Sequence, residues 1–114
     1  MRRWPKVADI LLIVGIVFYI LCIIGPYRPM IVMTKSMEPV LKKGDIIIGR
    51  KVSDEMKLKV GDICSYRPED AGYTVTHRII EISDDGYIFK GDNNVEEDAG
   101  PIGRDKIEYI IMRK

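Results

Sequence analysis

A serine, a single histidine and a run of acids are the groups in this 114-residue chain whose types could support nucleophilic catalysis. Ser36 lies in "VMTKSMEPVLKKGD", after a lysine, before a methionine and three residues ahead of Pro39. A serine hydroxyl is a weak nucleophile until an adjacent base takes its proton. His77 lies in "VTHRI", and strand alternation points it the same way as Val75 and Ile79. Such an apolar setting disfavours the charged ring, and the neutral imidazole is the form that accepts a hydroxyl proton. A carboxylate to orient that ring is available in "KGDNNVEED", as Asp92 or as Asp98. Spacing does not choose between those two. Each group also has an ordinary reading: a loop hydroxyl, a satisfied core histidine and a solvated acidic loop.

Other chemistries find little support. One histidine and the separated Cys22 and Cys64 form no metal-ligand cluster, and no glycine-rich phosphate loop is present, so neither metal nor cofactor is expected. The acidic stretch lacks the ligand spacing of a calcium-binding helix–loop–helix. "TKSME" lacks the flanking glycines of an α/β-hydrolase nucleophile elbow. The chain has 18 Lys+Arg and 17 Asp+Glu; without Arg2, Arg3, Lys6 and Asp9, 15 and 16 remain from residue 26 onward. That near-neutral balance opposes nucleic-acid binding, which requires a basic stripe.

The elements that must position these groups divide at residue 25. "ILLIVGIVFYILCII", Ile10–Ile24, carries no charge and ends at Gly25-Pro26. Extended back to Val7 it approaches the roughly 20 apolar residues needed to cross a bilayer, with Asp9 at the interface. Large isoleucines and a proline stand where a cleavable signal needs small residues, so an uncleaved anchor is expected. Arg2, Arg3 and Lys6 favour a cytoplasmic N-terminus, and Trp4 suits the headgroup level. Residues 1–25 then form the leader and transmembrane anchor, and residues 26–114 an extracytoplasmic domain. A disulfide between Cys22 and Cys64 is implausible across that division.

The second segment has the pattern of short strands between turns. Ile31–Met33 is an extended lead-in; Gly44-Asp45 precedes "IIIGRK", and Gly61-Asp62 precedes a strand through Tyr66 that Pro68 stops. "YTVTHRIIEIS" is the longest β stretch, followed by a turn, "YIFK", and a last strand near Ile107–Met112. "DEMKLK" is the one soluble stretch with a helical pattern, a single turn at most. Met30, Ile31, Met33 and Met37 offer an apolar surface close to the membrane, with membership of the domain core as the ordinary reading. The expected architecture is mainly β: a small β domain on a single N-terminal transmembrane helix.

Four blocks, "SMEPVLKKGDIIIGRK", "GDICSYR", "VTHRIIEI" and "KGDNNVEED", together with the anchor, resemble the type I signal peptidases. The histidine in "THR" and the "KGDNN" block resemble the archaeal and endoplasmic-reticulum branch, where histidine replaces the lysine base of bacterial members. The resemblance implies a signal-peptidase-like β domain with a Ser-His-Asp site. Ser36 would be the nucleophile, His77 the general base, Asp98 the orienting acid and Asp92 a support. The Ser36 backbone N–H and the Thr34 hydroxyl are the candidate oxyanion donors. It also implies cleavage of signal peptides from translocated preproteins in the cell membrane. Its partners would be those preproteins and the lipid bilayer, with the secretion translocon or other subunits as associates. Substrate would be extended beside Ile31–Met33, with small side chains at the first and third positions before the cut. Lys35 and Val40 depart from the family, which often has glycine before the serine and threonine soon after the proline. A non-catalytic anchored β domain that binds partners is the alternative, and it has no need for Ser36, His77 and the acids to converge.

Overall fold

The computed structural model describes residues 3–69 and 71–113; Arg2 of the basic leader lies outside the described residues. An α-helix, α1, spans Val7–Ile24 with mean hydropathy 2.9 and no residue buried against the rest of the protein. A helix of that length and composition can cross a membrane. Asp9 faces back to the helix start, where its carboxylate accepts the Lys6 backbone N–H at 3.3 Å. That interaction satisfies a donor left open by the first turn, so the acid has a structural use at the helix end. Arg3, Trp4 and Lys6 are exposed just before it. At the other end, the Gly25 N–H donates to the Leu21 carbonyl at 2.8 Å as the chain turns extended.

Six strands follow: β1 (Tyr27–Ile31), β2 (Ile46–Lys51), β3 (Ile63–Tyr66), β4 (Val75–Ser83), β5 (Gly86–Lys90) and β6 (Ile107–Arg113). They form one sheet in the order β1-β2-β6-β3-β4-β5, with each neighbouring pair antiparallel. The mainly β expectation therefore holds, with the strand starts shifted by a few residues. The extended lead-in begins earlier than its apolar residues suggest, because Tyr27–Ile31 pairs with Arg50–Ile46. "DEMKLK" forms no helix; Met56 N–H closes a turn onto the Ser53 carbonyl at 3.1 Å. Leu58, within that stretch, is 4% exposed, and burying it in the main core overrides the weak local helical preference. A 3₁₀ turn occurs instead at Arg104–Lys106.

The repeated Gly-Asp turns share one construction. Gly44 and Gly61 adopt φ of 95° and 100°, a left-handed conformation that glycine enters without a Cβ clash. Each following aspartate accepts the N–H of the residue three before it, Lys42 for Asp45 at 2.9 Å and Lys59 for Asp62 at 2.8 Å. These side-chain bonds mimic a backbone turn and aim the chain into β2 and β3.

Two apolar clusters sit under the sheet. The larger joins Leu58, Cys64, Tyr66, Ile79, Phe89 and Ile107; the smaller joins Met37, Leu41 and Ile47. Of the two readings open for Met37, the structure takes the core one: it is 2% exposed and packed with Leu41 and Ile47. Met30 is half-buried against the same cluster, while Ile31 and Met33 remain exposed. Burying the long Met37 thioether ties the backbone beside Ser36 to the smaller core cluster.

Candidate active site

Ser36 lies in the irregular segment between β1 and β2, and burial on its C-terminal side fixes where it points. Met37 and Leu41 go inward, leaving the Ser36 hydroxyl half-exposed at the rim of a cleft. The loop after β5 grips the same segment from above. Asn93 donates its backbone N–H to the Ser36 carbonyl at 2.8 Å and its side-chain amide to the Lys35 carbonyl at 3.1 Å. The Asp92 N–H meets the Met37 sulfur at 3.4 Å. A Cβ on Gly91 would lie 2.7 Å from the Ser36 carbonyl oxygen, so this approach requires glycine. Gly91 and Asn93 are therefore site residues that individual sequence readings missed; their only signal was membership of "KGDNN".

His77 is the third residue of β4, opposite Cys64 of β3, and is 8% exposed. Its Nε2 lies 3.0 Å from Ser36 Oγ, across 41 residues of sequence. Its Nδ1 lies 2.6 Å from Asp98 Oδ2. The Asp98 backbone N–H donates to the Phe89 carbonyl at 2.8 Å, which ties the acid to the end of β5. Tyr66 donates its hydroxyl to the same Asp98 Oδ2 at 2.5 Å. Burial, reinforced by the Asp98 hydrogen bond, raises the Tyr66 pKa well above that of an ordinary phenol. The phenol therefore remains a donor, and a carboxylate oxygen flanked by two donors requires the proton of neutral His77 to sit on Nδ1. Nε2 is then the lone-pair nitrogen, and Ser36 donates to it. Thr34 Oγ1, 2.9 Å from Ser36 Oγ, becomes the donor in that contact. The chain of hydrogen bonds has one direction, from Thr34 through Ser36 to His77.

Asp92 is not part of that chain. Both its oxygens accept from Arg78, at 2.9 Å from Nε and 2.8 Å from Nη2, and Arg78 also donates to the Gly61 carbonyl at 2.7 Å. That hydrogen bonding holds the Asp92 carboxyl below the usual carboxylate range, against an opposing effect of burial. Arg78 follows His77 on β4, so the ion pair braces the acid loop against the strand that carries the imidazole. The Lys35 side chain is exposed and hydrogen-bonds to nothing among the described residues. No cluster of His, Cys, Asp and Glu suited to a metal occurs among the described residues, and both cysteines are free.

The cleft beside Ser36 has a volume of about 950 Å³. Ile31, Met33, Thr34, Tyr73 and Val75 line it together with Ser36 and His77. β1 is an edge strand, so the extended residues at its end leave room for another extended chain.

The chain is similar to "Signal peptidase I W" of Bacillus subtilis, 34% identical over 80 residues, which cover 67% of this chain and 42% of that protein. It is also similar to "Signal peptidase complex catalytic subunit SEC11" of Zygosaccharomyces rouxii, 33% identical over 82 residues, covering 68% of this chain and 48% of the relative. "Putative signal peptidase complex catalytic subunit SEC11B" of Homo sapiens is 30% identical over 93 residues, or 76% and 55% of the respective chains. The chain spans about half the length of these relatives. The family described as "Signal peptidase, peptidase S26" matches residues 2–96, and the chain belongs to that family.

Proposed function

We propose that this chain is a membrane-anchored serine endopeptidase that removes N-terminal signal peptides from translocated preproteins. The observation that carries the reading is the alignment of Ser36 Oγ, His77 and Asp98 through bonds of 3.0 and 2.6 Å. A non-catalytic subunit has no need of such an alignment. Ser36 Oγ attacks the scissile carbonyl carbon as its proton passes to His77 Nε2. The developing oxyanion is met by the Ser36 backbone N–H, which has no protein acceptor among the described residues, and by the Thr34 hydroxyl. The imidazolium then gives its proton to the leaving amine, the C–N bond breaks, and an acyl ester remains on Ser36. His77 next deprotonates a water, which hydrolyses that ester and restores the hydroxyl. Asp98 stabilises the imidazolium in both halves.

Residues 1–25 serve as the anchor, with the N-terminus cytoplasmic and residues 26–114 on the outer side of the cell membrane. Exposed Ile31 and Met33 border the cleft five residues or fewer from Ser36, and the anchor ends at Ile24. A preprotein held by its own apolar segment meets the cleft in the same plane, which raises the effective concentration of both. Substrate extends along Ile31–Met33, and small residues precede the cut. Association with other subunits is supported by relatives whose names describe the catalytic subunit of a signal peptidase complex, and the secretion translocon is a further proposed associate. Purified full-length protein should cleave a preprotein in detergent or vesicles, and Ser36→Ala should lose that activity while keeping the wild-type circular dichroism spectrum. Retained turnover in Ser36→Ala would refute the assignment.

A further inference from the structure

We infer that Tyr66 is a positioning residue for the reaction, acting through Asp98: it holds the carboxylate at the angle from which that group orients His77. The inference rests on the protease reading above. Tyr66 is the last residue of β3, 3% exposed, with its ring 4.5 Å from that of Phe89 at an interplanar angle of 34°. In the β3–β4 register it lies opposite Val75, two residues from the Cys64–His77 pair. Its hydroxyl therefore reaches Asp98 from a strand adjacent to the one that carries the histidine. The two donors converge on a single oxygen, Oδ2, at 2.5 Å from Tyr66 and 2.6 Å from His77 Nδ1.

Without the phenol, Asp98 would be held by its backbone bond to the Phe89 carbonyl and by His77 itself. Asp98 lies in a turn-rich loop, flanked by exposed Glu96, Glu97 and Ala99, so its neighbours give it little support. A carboxylate free to rotate about its side-chain bonds would let the imidazole turn with it. Reactions that depend on alignment lose rate steeply when a reacting group is displaced. Tyr66 hydrogen-bonds to no other side chain among the described residues and does not line the cleft, so its hydroxyl has neither a substrate-binding role nor a second partner.

Tyr66→Phe keeps the ring and its packing on Phe89 and removes the donor alone. Full-length wild type, Tyr66→Phe, Asp98→Asn and the double variant are compared for kcat and KM on a peptide spanning a signal-peptide cleavage site, beside Ser36→Ala. The expected result is a kcat lower by about 10–100-fold in Tyr66→Phe, the change that follows loss of a hydrogen bond to a charged group, with KM unchanged. In the Asp98→Asn background, Tyr66→Phe should add no further loss, because its effect passes through that carboxylate. Wild-type kcat in Tyr66→Phe, a change confined to KM, or losses that multiply in the double variant would each overturn the role. Wild-type turnover that is absent, or that survives Ser36→Ala, would remove the protease reading and this role with it.

Discussion

Replacing Asp92 with asparagine tests whether the second acid braces the site or merely decorates it. Asp92 accepts two hydrogen bonds from Arg78, and the two side chains are 18% and 29% exposed. Hydrogen bonds to charged groups contribute about 1.5–3 kcal/mol each when shielded from water. Asparagine retains one acceptor and the partial exposure weakens the remainder, so a loss of about 2 kcal/mol is expected. In a domain of this size that corresponds to a Tm lower by about 8–16 °C. The pH dependence has a definite sign. Arg78 lowers the folded-state pKa of Asp92, so its contribution is complete above the unfolded carboxylate value of about 3.9 and is lost as pH falls through the folded value. The gap between wild type and Asp92→Asn should therefore be widest at neutral pH and close in strong acid. Thermal unfolding of the full-length protein, followed by far-ultraviolet circular dichroism at pH 7 and below pH 4, reads both. A variant that melts within about 2 °C of wild type at pH 7 would mean that the pair is solvated and that the bracing argument is wrong.

Two further outcomes concern the core beneath the site. Cys64 is fully buried, and burial followed by the nearby Asp62 charge pushes its thiol pKa up to about 12. A maleimide at pH 8 should leave Cys64 unmodified in folded protein and label it after denaturation; mass spectrometry showing rapid labelling of the native state would contradict the packing. Met37→Ala removes a side chain that is 2% exposed and should lower stability by about 2–5 kcal/mol. It should also reduce kcat, since Met37 anchors the backbone beside Ser36; an active variant with wild-type kcat would show that Asn93 alone suffices to hold that segment.

Much of this protein could be read locally. A charge-free run of near-bilayer length implies an apolar helix wherever the domain sits, because its physics depends on its own residues and the solvent. Gly44-Asp45 and Gly61-Asp62 specify turns for the same reason: glycine permits the backbone angle and aspartate supplies the acceptor within three residues. Alternation in "VTHRI" put His77 on the buried face with Ile79, where the sheet holds it. Met37 could not be assigned in this way, because methionine suits a membrane surface and a core equally well.

The choice between Asp92 and Asp98 depended on the tertiary structure. Both acids stand in one short block, and nothing in their immediate sequence distinguishes them. Arg78, 14 residues from Asp92, takes that acid as its partner, while Tyr66, 32 residues from Asp98, and His77, 21 residues away, converge on the other. Such pairings arise when strands distant in sequence become neighbours in the sheet. The physical reason is range: turn chemistry and burial periodicity act over a few residues, whereas an aligned hydroxyl, imidazole and carboxylate exist only once the chain has closed on itself.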